Sequence, residues 1–165
     1  MARAAKRDST RQAGGELPAH PRFGLHVPWL VICGFALWGV LAAVSSMRLK
    51  SVTYDEVAHL TAGLTYWRTG DYRMTPDHPP LAQLLAAAPL LGLDIQMPSK
   101  DEPSWRMGFV WKYGRDLLNR PNNVEEMLYL GRLPMVGLWC VGGLVASLWS
   151  RQMFGPWGGV ITAGL

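Results

Sequence analysis

Charged residues are absent from two long stretches of this sequence. Residues 23–47 and 133–150 contain no Asp, Glu, Lys or Arg, over 25 and 18 positions respectively. A membrane-spanning helix needs about 20 predominantly apolar residues to cross a hydrocarbon core of roughly 30 Å. The first stretch is long enough, and the second becomes so if residues 127–130 extend its helix. The two gaps in charge argue against one soluble domain, which the length alone would allow.

Cysteine is scarce, and recognisable metal motifs are missing. Cys33 and Cys140 both fall inside apolar stretches, which is typical of small buried residues and not of a disulfide or a metal pair. There is no internal repeat and no His-Glu-x-x-His pattern. These absences argue against a disulfide scaffold, a repeat protein and a zinc protease.

The distribution of charge around the apolar stretches predicts a topology. Residues 1–22 carry five basic residues against two acidic ones, the segment 48–132 carries ten of each, and Arg151 follows the second stretch. The positive-inside rule places the N-terminus and Arg151 in the cytoplasm and the long loop outside. This pattern explains the net charge of +4 without a nucleic-acid partner. A cleaved signal peptide is the alternative for the first stretch, but 25 residues exceed the usual apolar core of about 7–15.

We therefore expect an all-α polytopic membrane protein, with two transmembrane helices and the start of a third. The uncharged run from Gln152 to Leu165 suggests that the sequence is the N-terminal part of a larger protein. The expected segments are a disordered cytoplasmic tail 1–22, transmembrane helix 23–47, an extracytoplasmic loop 48–132, transmembrane helix 133–150, a cytoplasmic turn 151–157 and a truncated third helix 158–165.

Within the loop we predict helices over about 54–69, 80–92 and 123–132. The first begins with a capping box of Thr53 and Glu56, and Asn122 with Glu125 offers a cap for the last. Residues 94–121 are expected to be irregular. The first helix has an apolar stripe formed by Val57, Leu60, Leu64 and Trp67. It leaves a strip on the opposite face, with Gly63 at its edge, that has room for a ligand or is simply solvated. The members of that strip are Asp55, His59, Ala62 and Tyr66.

Two adjacent prolines precede the second predicted helix. Pro79 and Pro80 each disfavour a helical conformation in the residue before them, so His78 is expected to be extended at the mouth of that helix. Ordinary helix-start chemistry also explains the prolines. At about 11 residues the helix is too short to span a membrane. It is expected to lie in the interface or to pack under the loop.

Three interpretations of the acidic start of the loop remain open. One is a metal site from Glu56, His59, Asp77 and His78, although a di-metal bundle needs further ligand helices that are missing. Another is no site, with both acids serving the helix start. The third is group transfer at the membrane surface, with Asp55 as general base and cationic donors for a leaving phosphate. The candidate donors are Arg68, Arg73 and Arg132, of which Arg132 could instead be snorkelling to the interface.

The order of three motifs resembles the GT-C membrane glycosyltransferases. Tyr54-Asp55-Glu56-x-x-His59 follows one span, and Gly70-Asp71-Tyr72-Arg73 and His78-Pro79-Pro80-Leu81 come after it. The motifs look like those of bacterial family 39-like enzymes that use phospholipid-linked sugars, akin to protein O-mannosyltransferases and the aminoarabinose transferase of lipid A.

This resemblance implies a bacterial inner-membrane enzyme that transfers sugar from a polyprenyl-phosphate donor, with inversion, to an unknown acceptor outside the bilayer. Its acidic motif falls on Asp55 and Glu56, with Asp55 as base or as contact for a possible divalent metal ion. The substrate-binding candidates are His59, Tyr66, Arg73, Asp77, His78 and Arg132.

The alternative is a non-catalytic membrane subunit or a transporter that uses the outer loop for binding. Gly39-x-x-x-Ala43 and Gly143-x-x-x-Ser147 could pack helices in either case. The predicted spans contain no Asp, Glu, Lys or Arg, and transporters usually carry such residues there. This absence makes a transporter the weaker interpretation.

Overall fold

The computed structural model describes residues 26–165, and every regular element in that range is a helix. The predicted tail 1–22 and the first residues of the first span lie outside it. The expected all-α class is confirmed for the described part. In chain order the elements are α1 His26–Met47, α2 Tyr54–Thr69, α3 Leu81–Ala87, a 3-10 turn Ala88–Gly92, α4 Pro103–Arg106, α5 Val110–Leu118, α6 Val124–Phe154 and α7 Pro156–Gly164.

Helices α1 and α6 are long and apolar enough to cross a membrane. Little of either apolar window is buried within the structure, so neither resembles the shielded core helix of a soluble protein. Many of their large apolar side chains are exposed, among them Leu30, Leu37, Trp38, Leu41, Trp139, Val141 and Trp149. Helix α7 packs against both, and the three form an apolar bundle at one end of the molecule.

Helix α6 joins the predicted loop helix to the predicted second span without interruption. It is 31 residues long, with Pro134 inside it. The predicted cap is wrong by one residue, because Asn123, not Asn122, accepts the N–H of Glu126 at 3.2 Å. Asn122 instead exchanges hydrogen bonds with the backbone of Gln96, at 2.9 and 3.2 Å. Its side chain therefore ties the preceding loop to the helix start.

The predicted turn over 151–157 is wrong, because the break between α6 and α7 is a single residue. Helix α6 continues to Phe154, and Gly155 alone leaves the helical conformation, with a φ of 79°. Pro156 then starts α7. Glycine tolerates positive φ and proline suits the first helical position. Gly155 and Pro156 therefore end one helix and start the next without a longer loop.

The prediction of an irregular segment over 94–121 is also wrong, since α4 and α5 lie within it. Four buried residues of α5 recur at the spacing i, i+3, i+4 and i+7, the sign of an amphipathic helix. They are Val110, Tyr113, Gly114 and Leu117. This helix packs against α2.

Helix α2 is buried over most of its circumference, so the predicted open strip is wrong for its second half, whereas Asp55 is exposed and His59 is half-buried. Ala62 is 0% and Tyr66 is 3% exposed, whereas Trp67, from the predicted apolar stripe, is 50% exposed. Helices α3 and α5 both pack on α2. Helix α3 thus lies under the loop, between α2 and α6, instead of lying alone in the interface.

The space beside Gly63 is filled by α3. A Cβ at this position would collide with the backbone of Gln83 and approach the Cβ of Ala87 to 2.7 Å. Gly63 therefore permits the close approach of two helices and leaves no room there for a ligand.

We expect Gly63→Ala to lower the free energy of unfolding by about 1–3 kcal/mol, the usual cost of overpacking. Gly142→Ala is the matched control, because no atom lies within 4 Å of an added Cβ there. The control should be neutral or slightly stabilising, as for most glycines in open helical positions. Thermal unfolding in detergent micelles measures both, and equal melting temperatures would contradict the packing described here.

Candidate functional site

The acidic start of α2 is fixed to the start of the second apolar helix by an ion pair. The backbone N–H of Thr53 donates to Glu56 at 2.9 Å, which completes the predicted capping box. The guanidinium of Arg132 also binds Glu56, with Nε at 2.6 Å from one oxygen and Nη2 at 2.8 Å from the other. Their side chains are 14% and 25% exposed, so this pair is largely shielded from water.

The remaining N–H groups of Arg132 bind the chain that links α1 to α2. They donate to the carbonyl oxygens of Met47 at 2.6 Å, Lys50 at 3.0 Å and Ser51 at 3.0 Å. All five guanidinium donors are thereby used. We call this arrangement of Arg132, Glu56 and the three carbonyl groups the Arg132 clamp. It joins α1, α2 and α6 where the two long apolar helices adjoin the loop.

The clamp also determines the ionisation of Glu56. Burial of the carboxylate opposes ionisation, but the bonds from Arg132 and from the Thr53 N–H outweigh burial and hold the pKa of Glu56 below its ordinary value of 4.5. A charged carboxylate that is saturated in this way is a structural anchor. The catalytic role predicted for Glu56 stays a prediction, and its contacts in the structure are those of the clamp and the capping box.

Asp55 stands beside the clamp but takes no part in it. Its side chain is exposed and makes no hydrogen bond or ion pair with residues 26–165. His59 lies one helical turn further along α2, on the same face. The two acids therefore differ in their surroundings: Glu56 forms the predicted capping box and the clamp, whereas the Asp55 carboxylate is exposed to solvent.

A series of hydrogen-bonded polar side chains begins at His59 and continues into the interior of the loop 48–132. Nδ1 of His59 is 3.0 Å from the amide nitrogen of Gln83, which is 2.9 Å from the hydroxyl of Thr75. That hydroxyl is 2.5 Å from the phenol oxygen of Tyr66. Tyr66, predicted to contact substrate, is buried and committed to Thr75. Gln83 was not predicted, because a single glutamine in an apolar segment carries no sequence signal.

The segment before α3 brings a second histidine to the same face. The ring of His78 meets the ring of His59 edge-on, with centroids 5.6 Å apart. Asp77 lies 3.2 Å from Nδ1 of His78, and the pKa of Asp77 is lowered by its own backbone N–H and by His78. The predicted candidates Asp55, His59, Asp77 and His78 thus belong to one region. Within residues 26–165, however, no three His, Cys, Asp or Glu side chains are grouped so that they could hold a metal ion.

The three arginines predicted as donors for a leaving phosphate all bind other groups of the protein. Arg73 forms an ion pair with Asp71 at 2.7 Å and lies over the ring of Trp105. Arg68 donates to the carbonyl of Ile95 at 2.7 Å, and Arg132 is saturated by the clamp. None of the three guanidinium groups is oriented freely toward Asp55.

A groove of about 410 Å³ lies between α1 and α6, directly below the clamp. One part of its wall is apolar or small, and the other is polar and includes the ammonium-bearing Lys50. The apolar or small residues are Gly39, Ala43, Met135, Val136 and Trp139, and the polar ones are Ser46, Lys50, Thr53, Glu56 and Arg132. The ring of Trp139 covers Gly39, where a Cβ would collide with it. The groove therefore suits a ligand with an apolar tail and an anionic head.

No protein-family model, curated protein or solved structure matches the chain. The function must therefore be inferred from the side chains themselves.

Lys50 was missing from the predicted site, since a lone lysine after an apolar helix is typical of any membrane boundary. The groove identifies it, because Lys50 is among the residues that line the polar part of its wall.

Proposed function

We propose that this protein is a membrane glycosyltransferase that moves a sugar from a polyprenyl-phosphate donor to an acceptor on the outer face of the bacterial cell membrane. The observation that carries the proposal is the Arg132 clamp. It holds the start of α2 at a groove between two apolar helices, with Glu56 in the groove wall and the exposed Asp55 next to it in sequence. An exposed carboxylate one residue from a groove with an apolar wall supports chemistry on a lipid-linked substrate.

The spacing of two arginines on α6 supports a bilayer around the part of this helix between them, where the groove lies. Arg132 and Arg151 are nineteen positions apart on one continuous helix, about 28 Å at 1.5 Å per residue, which is close to the hydrocarbon thickness of roughly 30 Å. Arg151 lies over the ring of Trp29, 4.7 Å from its centroid, near the far end of α1. Arginine and tryptophan both favour the interface. The clamp would then lie at the outer interface, with the groove open to the outer leaflet.

The groove suggests how the donor would bind. Its apolar wall would take the first isoprene units, and the phosphate would meet the ammonium group of Lys50. Lys50 forms no ion pair with residues 26–165. It replaces the three arginines of the sequence-based hypothesis, which are engaged in other contacts.

The reaction requires one proton transfer and one displacement. Asp55 accepts the proton of the acceptor hydroxyl while that oxygen attacks the anomeric carbon. The bond from this carbon to the phosphate oxygen breaks, and its electron pair leaves with polyprenyl phosphate, whose charge Lys50 stabilises. Attack opposite the leaving group inverts the anomeric centre. His59 and His78 would contact the sugar or its phosphate.

We expect Lys50→Gln to raise the KM for the lipid donor about tenfold, since one charge-assisted hydrogen bond contributes about 1.5 kcal/mol. The backbone carbonyl of Lys50 still serves the clamp, so the fold should be unaffected. Lys100→Gln is the control, because that ammonium lies on the loop near Trp105, away from the groove. Steady-state transfer at varied donor concentration measures both. An unchanged KM in Lys50→Gln would argue against the donor site.

A further inference from the structure

Gln83 is a buried polar residue that contacts the candidate site from behind. It is 2% exposed, on α3, and its amide nitrogen lies between two acceptors. One is Nδ1 of His59 at 3.0 Å, and the other is the hydroxyl oxygen of Thr75 at 2.9 Å. A carboxamide nitrogen carries two protons, so both can be used. Burial of an amide is costly unless it is hydrogen-bonded, which indicates that these contacts are maintained.

Thr75 is itself held in place by Tyr66. The backbone N–H of Thr75 donates to the phenol oxygen at 3.2 Å. The phenol can then give its own proton to the Thr75 hydroxyl, 2.5 Å away. The Thr75 hydroxyl then gives its own proton to the amide oxygen of Gln83, 3.1 Å away. Because the amide oxygen accepts from Thr75, the amide nitrogen is the atom that faces His59, as a donor.

We infer that Gln83 is a positioning residue that holds the imidazole of His59 with its proton on Nε2. A neutral imidazole has one N–H and one acceptor nitrogen, and the partner of one nitrogen decides the state of the other. When Nδ1 accepts from Gln83, Nε2 must carry the proton. Nε2 makes no hydrogen bond with residues 26–165, so its N–H is available to a ligand.

This assignment divides the chemistry between two neighbouring groups on one face of α2. The Asp55 carboxylate is an acceptor, and the His59 ring is a donor one turn away, suited to an oxygen of the phosphate or the sugar. The division of roles rests on the proposed function, whereas the tautomer itself is independent of it. His59 would serve the site as a hydrogen-bond donor and not as a second base.

Nitrogen NMR of the full-length protein, labelled with ¹⁵N-histidine in detergent micelles, tests the tautomer directly. The His59 signals are identified by their loss in His59→Phe. We expect Nδ1 to resonate as an unprotonated ring nitrogen and Nε2 as a protonated one. Gln83→Glu should exchange the two, because a carboxylate only accepts and therefore favours the proton on Nδ1. Gln96→Glu, at an exposed glutamine, should leave both signals unchanged.

The opposite tautomer in the wild type would overturn the inference, and so would an unchanged pattern in a folded Gln83→Glu variant. The wild-type spectrum alone is decisive if that variant does not fold. A separate comparison of turnover examines the donor role. His59→Gln offers an amide N–H and should retain several-fold more transfer than His59→Leu, whereas equal losses would argue for a base. The spectra remain interpretable even if the protein transfers no sugar.

Discussion

Arg132→Ala is expected to lower the free energy of unfolding by about 3 kcal/mol, the largest stability loss of any single substitution considered. The change leaves the Glu56 carboxylate without its cation and three backbone carbonyls without donors. Removal of one partner from a buried ion pair costs about 3–5 kcal/mol. The lower end applies because the two side chains are 14% and 25% exposed.

Denaturant titration in detergent micelles measures the effect, with Arg115→Ala as control, since Arg115 is an exposed arginine on α5. The double variant Arg132→Ala with Glu56→Gln should be less destabilised than the sum of the single changes, because the two residues interact directly. Arg132→Lys should restore little, since an ammonium group cannot reproduce five planar donors. If Arg132→Ala unfolds at the same denaturant concentration as Arg115→Ala, the clamp does not stabilise the protein.

Asp55→Asn is expected to reduce sugar transfer by a factor of about 10²–10⁴, the usual contribution of a general base. The amide keeps the size of the side chain but cannot accept the acceptor's proton. The amount of protein in the membrane should not change, because Asp55 is exposed and makes no hydrogen bond or ion pair with residues 26–165. Labelled sugar in the acceptor fraction, divided by the amount of protein in the membrane, measures the effect.

Asp94→Asn is the matched control for this substitution. It removes one exposed carboxylate from the same loop, at a position after the 3-10 turn and away from the clamp. It should transfer sugar at the wild-type rate. Normal transfer by Asp55→Asn would exclude Asp55 as the base, and a non-catalytic membrane subunit would then be the better hypothesis.

Local sequence signals predicted several elements correctly. The helix predicted over 54–69 is Tyr54–Thr69, because a capping box starts it and Gly70, with a φ of 70°, ends it. The absence of charged residues from 23–47 and 133–150 identified the two long apolar helices. Each of these features depends on residues within a few turns of one another, which is the range over which periodicity and capping act.

The contacts that build the candidate site act over longer distances. Glu56 and Arg132 are 76 residues apart, and nothing in either local pattern indicates that they pair. The apolar pattern of α2 predicted a helix, but it did not indicate that α3 and α5 would cover part of the polar face or that Trp67 would remain exposed. Gln83 contributes to the site only because α3 folds back onto α2. These features depend on the tertiary arrangement, which local patterns in the sequence do not reveal.

The most direct measurement is the conversion of the lipid donor by the purified full-length protein in liposomes. Bacterial polyprenyl-phosphate sugars, labelled in the sugar, are supplied with extracted membrane acceptors. The wild type should release polyprenyl phosphate and label an acceptor in equal amounts, and Asp55→Asn should do neither. An intact donor pool with wild-type protein, or equal release by Asp55→Asn, would contradict glycosyl transfer at Asp55.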